Sequence, residues 1–103
     1  MSKTREFIAK HTGNNYKYQS GPIPCMKMKS GLNMSVQVGE FMYCSPRSNV
    51  GPWHEVEVGF PSTKIDKIMD WAENPDNPEK TVYGYVPINL IDEIIEENGG
   101  LVE

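Results

Sequence analysis

The sequence predicts an α+β fold: a small, mostly antiparallel four-stranded sheet in the order β-β-β-α-β-α, with helices on one face and a short helix ahead of the first strand. Three observations predict it. Apolar and polar residues alternate with period two in "IPCMKMK", "LNMSVQV" and "WHEVEVGF". The period becomes helical after Pro61, and proline and glycine then mark where each later element starts and stops.

Taken in order, Ser2 is placed to cap a helix over Lys3–Thr12 that Gly13 ends, and "TGNNYKYQSGP" reads as loop. The first strand sets Met26 and Met28 against Cys25, Lys27 and Lys29. After a turn at "SG", the second sets Met34, Val36 and Val38 against Ser35 and Gln37. Continued past Gly39, that parity would bury Glu40, so a bulge at Gly39 is expected, turning Phe41 and Tyr43 inward. The third strand places His54, Val56 and Val58 opposite Trp53, Glu55 and Glu57. In "STKIDKIMDWA", Ile65, Ile68, Met69 and Ala72 have helical spacing, with Ser62 or Thr63 as cap, and the prolines of "ENPDNPE" end that helix. "TVYGYV" is a fourth strand with Tyr83 and Tyr85 on one side. "PINLIDEIIEENGG" is a helix with an isoleucine stripe and Asp92, Glu93, Glu96 and Glu97 toward water.

A chain of 103 residues supports one α+β domain, residues 1–103, around a single modest core; residues 1–22 form a helix-plus-loop amino-terminal segment. Mean hydropathy of -0.53 and the lack of a long apolar run speak against a membrane span. The amino terminus has neither a hydrophobic region nor a small-residue cleavage site, so the expected location is the cytoplasm, with Cys25 and Cys44 as free thiols. The net charge of -4 is unevenly spread. Residues 1–60 carry seven Lys/Arg against four Asp/Glu, and residues 61–103 carry three Lys against ten Asp/Glu. This acidic second half argues against direct nucleic-acid binding. It reads as the solvated faces of helices or as a negative patch for a basic partner.

"WHEVE" puts His beside Glu, but strand neighbours point to opposite faces, so His54 and Glu55 diverge. His54 is expected half-buried and satisfied rather than catalytic, and Glu55 and Glu57 are expected to pair with Lys27 and Lys29 across strands. Cys25, Cys44, His11 and His54 lack the paired spacing of a metal site, and no cofactor motif is present. "YCSPRSNVG" is more informative. Its length exceeds that of an ordinary hairpin connection, and Arg47 can clamp a carboxylate or phosphate. Ser45, Asn49 and His54 would surround such a ligand, with Tyr43 or Trp53 for stacking; the alternative is a plain solvated loop. The outer sheet face, with Lys27, Lys29, Trp53, Tyr83 and Tyr85, has the composition of a contact surface.

"SVQVGEFMYCSPR", "GPWHEVEVGFPS", "TVYGYVP" and "IIEENGG" resemble small uncharacterised proteins of bacteriophages and bacterial mobile elements, over residues 24–100. The resemblance implies a context in which small acidic proteins act by binding, including against host defences. It implies no catalytic residue. The expectation is a non-enzymatic binding protein that sequesters or blocks a host defence protein or a small anionic ligand such as a signalling nucleotide. Two alternatives stand beside it: a small enzyme with Cys44 as nucleophile and His54 as base, and a structural homo-oligomer such as a dimer.

Overall fold

A computed structural model of the protein describes residues 2–13, 15 and 23–102. Helix α1 (Lys3–Thr12) has the expected bounds and caps. The Ser2 hydroxyl accepts the Arg5 N–H at 3.1 Å, and Gly13, at φ 60°, donates its N–H to the Ala9 carbonyl at 2.7 Å. The loop expected over residues 12–22 lies for the most part outside the described residues.

The sheet runs β1 (Met26–Lys27), β2 (Asn33–Gln37), β3 (Glu55–Gly59) and β4 (Val82–Pro87), antiparallel throughout and in spatial order β1-β2-β3-β4. Met26 faces Met34, and Val36 faces Val58. These side chains are fully buried, as the alternation predicts. Helix α2 (Ile88–Glu97) buries Ile88, Ile91, Ile94 and Ile95 in the same core, joined by Ile8 of α1 and by Ile68. Each such side chain contributes about 1.5–3 kcal/mol of burial free energy.

The segment after Pro61 departs from expectation. It is a 3-10 helix, Asp66–Trp71, with no side-chain cap. Ser62 is engaged elsewhere: its hydroxyl accepts the Asn33 N–H at 3.0 Å, and its own N–H reaches the Asn33 carbonyl at 2.8 Å. At the other end Ala72 bridges Tyr83, and the Glu73 N–H donates to the Val82 carbonyl. The two ends of the segment are thus held by backbone contacts to Asn33 and to β4, and the 3-10 form, longer per residue than an α-helix, spans between them.

β4 also departs from simple parity. Val56 pairs with Val86 while Val58 pairs with Tyr83, so β4 advances one residue more than β3. The side that an unbroken alternation assigns to Tyr83 is therefore wrong. Tyr83 points into the core, fully buried, with its hydroxyl donating to the Pro78 carbonyl. Tyr85 absorbs the extra residue at φ 58° and remains exposed.

Backbone from elsewhere in the chain lies along each outer strand. Residues 100–102 run beside β1: Leu101 bridges Met28, Lys29 donates to the Gly100 carbonyl, and Val102 donates to the Lys27 carbonyl. Ala72 and Glu73 do the same beside the start of β4. Asp92, expected to face water, instead fastens α1. Its Oδ1 accepts the Ser2 hydroxyl at 2.9 Å, the Thr4 N–H at 2.9 Å and the Thr4 hydroxyl at 2.6 Å. Glu93 and Glu97 hold Lys67 at 3.5 and 3.2 Å. Among the described residues, no helix is long and apolar enough to cross a membrane.

Candidate functional site

The long connection between β2 and β3 is a folded excursion. Continuing the β2–β3 register would bring Gly39 opposite Glu55, but Ser45 holds that position, its N–H donating to the Glu55 carbonyl at 3.0 Å. The chain leaves the ladder after Gln37 and turns at Gly39, φ 141°, in place of the bulge in a continuing strand that the alternation predicts. It does not turn Phe41 and Tyr43 inward. Cys44 takes the inward place, fully buried, and its neighbours face out.

Cys44 and Trp53 hold the excursion together. The Cys44 thiol donates to the Gly39 and Pro46 carbonyls at 3.2 and 3.3 Å, and its sulfur accepts the Gly39 N–H at 3.3 Å. Trp53 was expected on the open sheet face; it is 2% exposed, and its indole N–H donates to the Ser48 carbonyl at 2.9 Å. Because Trp53 precedes β3, whose first residue is Glu55, the strand's alternation does not govern it. A side chain at Gly51 would meet the Trp53 ring at 2.7 Å, so the loop closes on the indole only with glycine there.

This frame displays a surface. The Arg47 guanidinium lies 5.6 Å from the centre of the Tyr43 ring, and Tyr43 and Tyr85 have ring centres 6.1 Å apart. The Tyr85 N–H donates to the Tyr43 carbonyl at 2.9 Å, and the Tyr43 N–H donates to Glu57 at 3.2 Å. Gly84 allows the close approach, since a Cβ there would sit 3.2 Å from the Tyr43 Cβ. Phe41 is 83% exposed, Tyr43 44% and Tyr85 41%. An exposed cation–π contact is worth about 0.5–1 kcal/mol, which orders Arg47 without burying it.

The other predicted site residues disperse. Asn49 accepts the Glu40 N–H through its Oδ1 at 2.9 Å, an internal loop contact. Ser45 contributes its backbone to the ladder with Glu55. His54 is exposed rather than half-buried, and its Nδ1 lies 3.3 Å from the guanidinium of Arg5, which also donates to the Trp53 carbonyl at 2.7 Å. Lys27 and Lys29 belong to a different surface, beside α1. Their expected pairing with Glu55 and Glu57 does not occur among the described residues, because β2 separates β1 from β3.

A nucleophilic thiol needs exposure and a depressed pKa. Cys44 has the reverse: burial, followed by the negative charge of Glu57, pushes it above its ordinary value, outweighing the lowering by the Gly39 backbone and Arg47. Its hydrogen bonds go to backbone groups and not to His54. Cys44 therefore works as a fastener of the loop. Sequence reasoning missed this role and that of Trp53. The nearest signal was their position between glycines and prolines in "GEFMYCSPRSNVGPW".

Comparison with protein-family models, with curated proteins and with solved structures finds no match to this chain.

Proposed function

We propose that the protein acts by binding, with Tyr43, Arg47, Tyr85 and Phe41 as the contact surface for a protein target. One observation carries this reading: two exposed aromatic rings, Phe41 and Tyr43, and the Arg47 guanidinium stand on a loop whose own anchors, Cys44 and Trp53, are buried, and the exposed Tyr85 ring of β4 lies beside Tyr43. Tyrosine and arginine are the residue types that concentrate binding energy at protein interfaces. Tyr85 is held in the left-handed region, a conformation that costs about 1–3 kcal/mol for a bulky residue and that sets its ring beside Tyr43. Phe41 is open on nearly all sides, so the surface fits the face of a macromolecule better than a small ligand, which calls for a concave site. With the resemblance to phage-borne proteins, the target is a cytoplasmic host protein of the defence machinery, blocked stoichiometrically.

The test is site-specific photo-crosslinking in cells that carry antiviral systems, with the crosslinking residue at Phe41 and, as control, at Glu73. One dominant host protein captured from position 41, lost with Tyr43→Ser/Arg47→Ala and absent from position 73, supports the proposal. Capture of a second copy of this chain would replace the host target with a homo-oligomer. The same scatter of proteins from both positions would refute the contact surface.

A further inference from the structure

α1 and β1 together form a groove of about 910 Å³ whose charge runs against that of the chain. Lys3, Phe7, Lys10 and His11 come from one side of α1, at the spacing that lines up a helix face. Cys25, Lys27 and Lys29 come from the outward positions around β1, alternating with buried Met26 and Met28. Residues 100–102 close the far wall.

Among the described residues, four lysines line this groove against one carboxylate, Glu6, on a chain whose net charge is -4. Glu6 is engaged by Lys3 at 3.7 Å. Lys10, Lys27 and Lys29 make no ion pair among the described residues. They come from two separate stretches of chain, and residues 27 and 29 sit about 7 Å apart along the chain. Beside them, the Phe7 and His11 rings lie 4.7 Å apart at 58°, forming an aromatic wall next to the positive charge.

We infer that this groove binds a small phosphorylated ligand of nucleotide type. The phosphates would sit among Lys10, Lys27 and Lys29, with the base against Phe7 and His11. Amine groups on flexible stems neutralise phosphate charge, and an aromatic wall accepts a base through its π face. A volume near 900 Å³ accommodates a nucleotide but not a folded protein surface. The groove shares no residue with the Phe41–Tyr43–Arg47–Tyr85 surface, and neither assignment depends on the other.

The test is titration calorimetry of the full chain at low salt with ATP, inorganic pyrophosphate and an eight-residue oligothymidylate as probes. Amide NMR shifts locate the site, and thermal unfolding verifies that each variant is folded. ATP is expected to bind, to shift the amides of residues 7, 11, 27 and 29, and to weaken with added salt. Lys27→Gln/Lys29→Gln should weaken it about tenfold, at up to about 0.7 kcal/mol per exposed charge, with unfolding temperature unchanged. Phe7→Ala should weaken ATP while leaving pyrophosphate as it was. No shift at millimolar ATP, or an unchanged affinity in the double lysine variant, would overturn the site. Pyrophosphate binding as tightly as ATP would overturn the nucleotide class, and tighter binding of the oligothymidylate would reassign the groove to nucleic acid.

Discussion

Asp92 offers a direct way to probe how the groove wall is held. α1 presents little apolar surface of its own, with Ile8 its one aliphatic residue in the buried core. A ten-residue helix of that kind is unstable alone. Its attachment relies on Asp92 Oδ1, which accepts from Ser2 and twice from Thr4. Asp92→Ala leaves the buried Thr4 N–H and hydroxyl unpartnered, at about 1–3 kcal/mol. Removing a negative charge from the amino end of α1 adds about 0.3–1 kcal/mol. The expected loss is about 2–3 kcal/mol for Asp92→Ala and about 1 kcal/mol for Asp92→Asn, which keeps an acceptor. With a urea slope near 1.5 kcal/mol per molar, the midpoint should fall by about 1.3–2 M and about 0.7 M respectively. Native-state hydrogen exchange completes the assay. If α1 undocks by itself, the amides of residues 6–12 lose protection in Asp92→Ala while the sheet keeps its own. An unchanged urea midpoint together with unchanged exchange in α1 would refute the assignment of Asp92 as the fastener.

Tyr85→Asn should leave stability unchanged or raise it by up to about 1 kcal/mol, because asparagine tolerates φ 58° better than tyrosine, while removing a ring from the proposed contact surface. Denaturant titration beside the crosslinking assay reads both effects, and a large loss of stability would show that the ring is needed for folding. Thiol labelling under native conditions should modify exposed Cys25 promptly and buried Cys44 at least about a thousandfold more slowly, since Cys44 reacts only when the loop or the fold opens; prompt modification of both would contradict the packing of the excursion. Stability should also fall at alkaline pH. Burial raises Cys44 above its ordinary 9.0, and burial with Glu79 raises Tyr83 above its ordinary 10.0, so the unfolded chain loses these protons first. The contribution is fully present below pH 9 and is lost as pH climbs through 9 and 10 toward the raised folded values. Cys44→Ser should flatten the first part of that decline in a pH series of urea midpoints, and an identical decline would exclude Cys44 as its source.

Most of the scaffold was legible because it follows short-range rules. Met26, Met34, Val36, Val56 and Val58 obey period two, Ile88, Ile91, Ile94 and Ile95 obey helical spacing, and Ser2 and Gly13 bracket α1 as their backbone chemistry requires. Parity failed wherever the chain inserts a residue, because alternation carries no mark of an insertion. Strict alternation in "TVYGYV" places Tyr83 and Tyr85 on one face, and only the register with β3 turns Tyr83 inward. Around the site, Tyr43, Arg47 and Tyr85 were recognisable by residue type, but their approach depends on the Tyr85–Tyr43 backbone bond between distant segments. Lys27 and Lys29 were visible as a charged stripe. That α1 stands beside them was not, since its attachment spans 88 and 90 residues of sequence.

The strips of backbone beside β1 and beside the start of β4 bear on dosage. An uncovered strand invites a neighbouring molecule to add its own, and that tendency grows with concentration. Here Lys27 and Lys29 are engaged by residues 100–102, and Val82 by Glu73. A blocking agent without turnover has to be present at least mole for mole with what it blocks. For the proposed blocking role, backbone cover along β1 and at the start of β4 lowers the tendency of copies to pair by strand addition at that level.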